Sequence, residues 1–256
     1  MTVYKIVVAY DGTNYHGWQF QPNATTVSEV LSDAFSAVFF QKISILGASR
    51  TDKGVHAFGQ VAIVQSPIFV EEQILQRAWS KALPSDIVIK SIQRLDKLVH
   101  PHDGVVQKTY VYHFFTQRPM PFVARYGWYI HRPIDLDLLK ASLNIFVGTH
   151  DFRSFCSGED LKDTIKTIDS VDVSYVSEWN AYRIQVKGKS FLRYMIRRIV
   201  GACLEIASRK HLSLNHLVLV LEQRNPCHTL PNAPAKGLIL ERIDYESSFR
   251  GLDAKN

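Results

Sequence analysis

The sequence is poor in cysteine and methionine, with three of each in 256 residues. Cys156, Cys203 and Cys227 lie far apart and form no CxxC pair. A scattered, odd-numbered set builds neither a closed disulfide framework nor a zinc pattern. A reducing, cytoplasmic compartment is therefore expected. Long apolar runs are missing as well. Nothing approaches the roughly 18 consecutive apolar residues of a membrane span, so no membrane partner is expected. The opening MTVYKIVVAYDG is too short in its apolar part for a secretory signal and reads as a first strand. Neither repeats nor low-complexity segments are visible. His100-Pro101-His102 brings two imidazoles together, but no third ligand is evident, so no metal site is expected.

Positive charge is present, and it is concentrated. The chain carries +6 overall. Between Arg183 and Lys210 stand Arg183, Lys187, Lys189, Arg193, Arg197, Arg198, Arg209 and Lys210 against the single acid Glu205, a net of +7 that leaves the remainder at −1. Such a stretch suits a polyanion, with RNA or DNA first among candidates. A solvated basic helix face is the alternative, and composition does not choose between them.

Periodicity gives a mixed inventory. Val3 to Ala9 reads as a strand, and Tyr10 to Ala24 as loop. Thr26-Val27-Ser28-Glu29 fits a capping box opening an amphipathic helix over 26–40. Short strands are expected at 43–46 and 56–64, a helix around Ile74 to Ala82 stopped by Pro84, and a strand at 87–95. Lys108 to Phe115 is a further strand, leading to Pro119 and Pro121. Beyond lie a helix from Pro133 and Asp135, strands at 165–175 and 181–188, a helical stripe from Leu192 to Leu204, a short helix at 215–223 and a strand at 238–245. The elements show no regular parallel rhythm. The fold class is α+β: two similar subdomains with helices packed on a largely antiparallel sheet. The subdomains are placed at 1–118 and 119–246, with 247–256 expected to fray.

The segment Gly47 to Val61, GASRTDKGVHAFGQV, gathers charge between glycines. Arg50, Asp52 and Lys53 are packed between glycines that permit tight turns, a composition that can present a carboxylate at a cleft. An arginine two positions before Asp52 could keep the carboxylate ionised and aimed. The bland reading is an aspartate bonded to its own turn. Tyr110 and Tyr112 share one strand face, which serves a core as well as a site. Arg193 and Arg197, at i and i+4, are expected on one polar helix side.

The segment SRTDKGVHAFGQV resembles the signature of the tRNA pseudouridine synthase A (TruA-type) family. Further matches follow in order: YDGTNYHGWQFQPNATTV near the start, LPSDI at 83–87, KTYVYHF at 108–114, GTHDFRSF at 148–155, SFLRYMIRRIVG at 190–201 and APAKGLIL at 233–240. The resemblance spans about residues 4 to 245. It implies isomerisation of uridine to pseudouridine in the anticodon arm of tRNA, at positions 38, 39 and 40, by a cytoplasmic homodimer using no cofactor or metal. It implies an active cleft between the subdomains. By the same resemblance Asp52 is the catalytic carboxylate, whether it attacks sugar or base or abstracts a proton. Tyr110 stacks on the flipped uracil, Arg50 holds Asp52, and Arg197 pairs with Asp52 or with phosphate. Leu238 could face the base, with a core position as the alternative.

The sequence departs from the family at three places. Lys53 stands where alanine is usual, His100-Pro101-His102 replaces an HAR-type stretch, and the glycine ahead of APA is missing. Two rival functions remain at this level. One is a non-catalytic RNA-binding protein or RNA chaperone of the same fold. The other is a metal-dependent phosphodiesterase, disfavoured because no second carboxylate neighbours Asp52.

Overall fold

The computed structural model describes residues 1–157, 163–209, 213–225 and 230–246. Lys210, Cys227 and the tail from 247, which carry expectations above, lie outside them. The chain divides into two compact units, Met1–Lys108 with the residues from Ile239 onward, and Thr109–Leu238. The first unit holds β1 (Thr2–Tyr10), α1 (Val27–Phe39), β2 (Ser44–Gly47), β3 (His56–Ser66), α2 (Glu72–Ala82), β4 (Ile87–Leu95) and the start of β5 (Val105–Phe115). The second holds the rest of β5, β6 (Trp128–Tyr129), α3 (Leu136–Asn144), β7 (Gly148–Asp151), β8 (Ile165–Ile168), β9 (Ser170–Val176), β10 (Ala181–Gly188), α4 (Met195–Ser208) and α5 (Leu214–Gln223). The last strand, β11 (Leu238–Tyr245), belongs to the first unit from Ile239.

In the first unit the strand order is β4-β1-β3-β11, with β2 on β3. β1 runs antiparallel to both neighbours, Ile6 facing Ala62 on one side and Ile92 on the other. It is buried along nearly its whole length. A strand covered on both faces needs a near-continuous apolar run, and Ile6-Val7-Val8-Ala9 supplies it. β11 is the exception to antiparallel order, pairing parallel with β3 at His56 and Ala57. The Glu29 carboxylate accepts from the Thr26 amide at 3.3 Å, which holds the entry to α1. Glu71 caps α2 by accepting from the Gln73 and Ile74 amides. The two helices bury Leu31, Phe35, Leu75 and Trp79. Trp79 meets Phe35 edge-on at 5.1 Å and donates its indole N–H to the Leu31 carbonyl at 2.9 Å. That bond lets a polar ring sit at zero exposure.

In the second unit the order is β5-β10-β9, with β6 parallel to β5 and a separate antiparallel pair of β7 and β8. Asp135 caps α3 through the Leu138 amide at 2.9 Å. α3 packs on α4, and Leu139, Leu143, Ile199, Val200 and Cys203 are all buried. Phe146 meets Phe155 edge-on at 4.8 Å in the same core. Burial pushes the Cys203 thiol up to about 12, so this cysteine is a small apolar filler rather than a reactive group.

The α+β class and the mostly antiparallel sheet are what the sequence indicates. Three details differ. The expected strand over 165–175 is two strands, separated at Asp169. β7 went unread because Gly148-Thr149-His150-Asp151 has no apolar alternation and exists through its pairing with β8. The helical stripe begins at Met195 rather than Leu192, because Tyr194 takes a left-handed φ of 63° that no α-helix continues through. No described helix is long and apolar enough to cross a membrane.

Trp79→Phe removes the indole donor and leaves a gap beside Phe35. It should lower the stability of the protein by about 2 kcal/mol, read as a shift in urea midpoint at unchanged m.

Candidate active site

Asp52 lies in the link from β2 to β3, and the residues around it are tied at nearly every position. The Ala48 amide donates to the Val61 carbonyl at 2.8 Å. The Gln60 side chain brackets Ser49, accepting from its amide at 3.2 Å and donating to its carbonyl at 2.5 Å. The Thr51 hydroxyl meets the Tyr10 hydroxyl at 2.8 Å in a buried position. A turn follows, with the Val55 amide donating to the Asp52 carbonyl at 3.1 Å and Gly54 at a φ of 76°. Asp52 itself is half-buried, while Arg50 and Lys53 are exposed.

The support comes from the loop after β1. The Trp18 amide donates to the Thr51 carbonyl at 3.2 Å, and the Gly54 amide to the Tyr15 carbonyl at 3.1 Å. The approach is too close for side chains. A Cβ on Gly12 would lie 2.0 Å from the Val55 carbonyl oxygen, and one on Gly17 would lie 2.3 Å from the Thr51 oxygen. Gly17 also has a φ of 90°, which disfavours any other residue. The far side of the same loop caps a helix, because the Gly17 and Trp18 carbonyls accept the Val27 and Ser28 amides of the first turn of α1. Asp86, in the LPSDI stretch, holds the loop from below. Its carboxylate accepts from the Tyr15 hydroxyl at 2.6 Å, and its carbonyl accepts the Asp11 amide at 2.9 Å. Burial, then the Asp86 hydrogen bond, pushes the Tyr15 phenol well above its ordinary range. His56 Nδ1 lies 3.0 Å from the Gly12 amide and 3.0 Å from the Asp11 carboxylate. One nitrogen cannot accept from Gly12 and donate to Asp11 at once, so the tautomer of His56 selects between the two bonds.

The Arg50 charge reaches His102. That imidazole is held below its ordinary value by partial burial first, then by Lys108, His100 and Arg50. The His100-Pro101-His102 turn thus sits on the same side as Arg50, its two rings edge-on at 5.0 Å.

Tyr110, Arg197 and Leu238 belong to the second unit. Tyr110 is 6 % exposed, and its ring meets Phe191 edge-on at 5.5 Å. Phe191 is a contact that sequence reasoning missed. Tyr112 is wholly buried, with its hydroxyl donating to the Pro234 carbonyl at 2.9 Å, and is a core residue. Leu238 is buried at the start of β11. Arg197 donates from Nε to the Ala233 carbonyl at 2.7 Å, and the Ala233 amide returns a bond to the Arg197 carbonyl at 3.0 Å. The APAKGL stretch is therefore fastened to α4. Arg193 precedes the helix, so the i, i+4 argument does not apply to it. The two guanidiniums converge by another route, over the Tyr194 ring at 4.9 and 5.3 Å. Arg198 donates to the Cys156 carbonyl. Arg209 pairs with Glu205, which also faces Arg132 at 3.6 Å. Of the described cations in the basic stretch, Lys189 and Arg193 are the exposed ones. Among the described residues no three His, Cys, Asp or Glu gather as a metal site.

Gly17→Ala places a methyl against the Thr51 carbonyl and strains the backbone. It should destabilise the first unit by about 2 kcal/mol or more, measured by thermal unfolding.

The family model described as tRNA pseudouridine synthase matches residues 6–102 and 143–246. The tRNA pseudouridine synthase A of Thermodesulfovibrio yellowstonii is 33 % identical over 251 residues, covering 94 % of this chain and 98 % of that protein. The tRNA pseudouridine synthase A of Acetivibrio thermocellus is 35 % identical over 243 residues, covering 94 % and 98 %. That of Chlamydia pneumoniae is 33 % identical over 254 residues, covering 97 % and 94 %. The tethered Asp52 loop, the Asp86 support and the Arg197–Ala233 fastening all fall inside the matched segments, and the chain belongs to the tRNA pseudouridine synthase family.

Proposed function

We propose that this protein isomerises uridine to pseudouridine in the anticodon arm of tRNA, at positions 38, 39 and 40, with Asp52 as the catalytic carboxylate. The observation that carries the reading is the setting of Asp52. It is a half-buried carboxylate in a segment fixed on both sides by buried hydrogen bonds. Fixed geometry of this kind is what a positioned nucleophile or base requires. The relatives bearing the name tRNA pseudouridine synthase A support the substrate.

The reaction moves one bond. The C1′–N1 bond breaks, C1′–C5 forms, the C5 proton leaves and N1 gains a proton, so no atom or electron is lost. A stacked uridine is out of reach of a loop carboxylate, so the base is first turned out of the helix. Asp52 then starts the exchange, as nucleophile or as base. Tyr110, its ring braced by Phe191, offers the face on which the uracil stacks. Arg197, with its guanidinium bonded to the Ala233 carbonyl, supports the site. Lys189 and Arg193 are the exposed cations for phosphate. The working form in this reading is a cytoplasmic homodimer.

Unmodified tRNA incubated with the purified protein should acquire pseudouridine in the anticodon arm and nowhere else, read by base-resolution mapping. Binding without product would leave a non-catalytic RNA-binding protein. Asp52→Asn keeps the shape and removes the carboxylate. It should lower the single-turnover rate by about 1,000-fold, ~4 kcal/mol of barrier, with tRNA affinity nearly unchanged. A comparable rate in that variant would show that another group starts the reaction.

Replacing both Lys189 and Arg193 by alanine should weaken tRNA binding and reduce the slope of log affinity against log salt by roughly 1 to 2. Filter binding at several salt concentrations measures it.

A further inference from the structure

One buried ionisable group has no part in the reaction as described. Lys108 is only 8 % exposed on β5. Its ammonium donates to the Ala48 carbonyl at 2.6 Å, across 60 positions of sequence. Burial lowers its pKa to about 8. A buried ammonium is unfavourable, and many neutral side chains could satisfy one carbonyl. A lysine in this place therefore needs a reason that lies in what Ala48 holds.

Ala48 is the first residue after β2. Its amide is already bonded to Val61, so the Lys108 bond fixes the following peptide on its other polar atom. Ser49, Thr51 and Gly54 are anchored by Gln60, Tyr10, Trp18 and Tyr15 through neutral groups. Lys108 supplies the charge-assisted bond in this set, and such bonds are shorter and stronger than neutral ones.

We propose that Lys108 is a positioning residue for Asp52: its ammonium, bonded to the Ala48 carbonyl, sets the direction in which the chain leaves β2 and thereby aims the carboxylate four residues on. The inference rests on the reading of Asp52 as the catalytic group. His102 from the preceding turn also bonds the Ala48 backbone and feels the charges of Lys108, His100 and Arg50, so it shares the hold on Ala48 with the Lys108 ammonium. His102 sheds its proton below its ordinary value, and Lys108 changes charge near pH 8.

The test compares Lys108→Met and Lys108→Arg with the wild type. Misaiming a catalytic group by an ångström slows reaction by about 100-fold, so Lys108→Met should lose roughly 10- to 100-fold in single-turnover rate with tRNA affinity changed less than about threefold. Lys108→Arg keeps a charged donor and should recover most of that loss. The wild-type rate should decline severalfold as pH rises through about 8, where the bond loses its charge. That decline should be absent in Lys108→Arg. Amide exchange across 48–54 should quicken in Lys108→Met and stay at wild-type rates in Lys108→Arg. A wild-type rate in Lys108→Met, a loss confined to tRNA affinity, or a decline near pH 8 that persists in Lys108→Arg would overturn the proposal. The exchange measurement needs no activity. If the wild type forms no pseudouridine, the reading of Asp52 fails, and unchanged exchange in Lys108→Met is the separate result that defeats the role of Lys108.

Discussion

Two backbones that pass too closely for a side chain set the rest of the first unit. Gly12 faces the Val55 carbonyl and Gly17 the Thr51 carbonyl, and neither position has room for a methyl group. That contact turns the loop after β1 into a template for the loop that carries Asp52. The template is then fixed from outside. Asp86 grips Tyr15 and Asp11, and α1 takes its first-turn acceptors from Gly17 and Trp18. Motifs at three distant places in the sequence therefore serve one purpose. YDGTNYHGWQ is shaped to touch SRTDKG, and LPSDI keeps it there. Polar satisfaction and close packing are met by the same bonds, which leaves few ways for the loop to relax.

Charge tells a different story in the structure than in composition. The stretch from Arg183 to Lys210 has eight bases, yet its described members do several jobs. Arg197 and Arg198 hold backbone carbonyls, and Arg209 is paired with Glu205. Lys189 and Arg193 remain at the surface. The stretch is partly internal scaffolding. Its arginines are suited to that work, since a planar fork carries charge into half-buried places where it can meet carbonyls.

Much of the fold could be read along the chain because its signals are local. β1, β4, β10 and β11 announce themselves by β-branched runs, and α1 by its capping box and apolar stripe. Where the cause is distant, reading fails. β7 is made by its partner, not by its own residues. The start of α4 is set by Tyr194, whose left-handed backbone no propensity foretells. The candidate site divides likewise. The resemblance alone singles out Asp52, and composition alone shows the glycines that permit its turn. Phe191 beside Tyr110, and Lys108 beneath Ala48, needed coordinates, since each joins residues far apart in sequence.

The parallel pairing of β11 with β3 has a consequence for synthesis. His56 and Ala57 emerge early, but their partners Ile239 and Leu240 are made only after all of Thr109–Leu238. At about 5–20 residues per second, the ribosome takes on the order of ten seconds to reach them. Through that interval the nascent first unit carries an unfinished sheet edge immediately beside the residues that follow Asp52. A partner strand that arrives so late gives high contact order and slow closure. The sheet beside the Asp52 loop is thus complete only when a late-made strand folds back onto an early one.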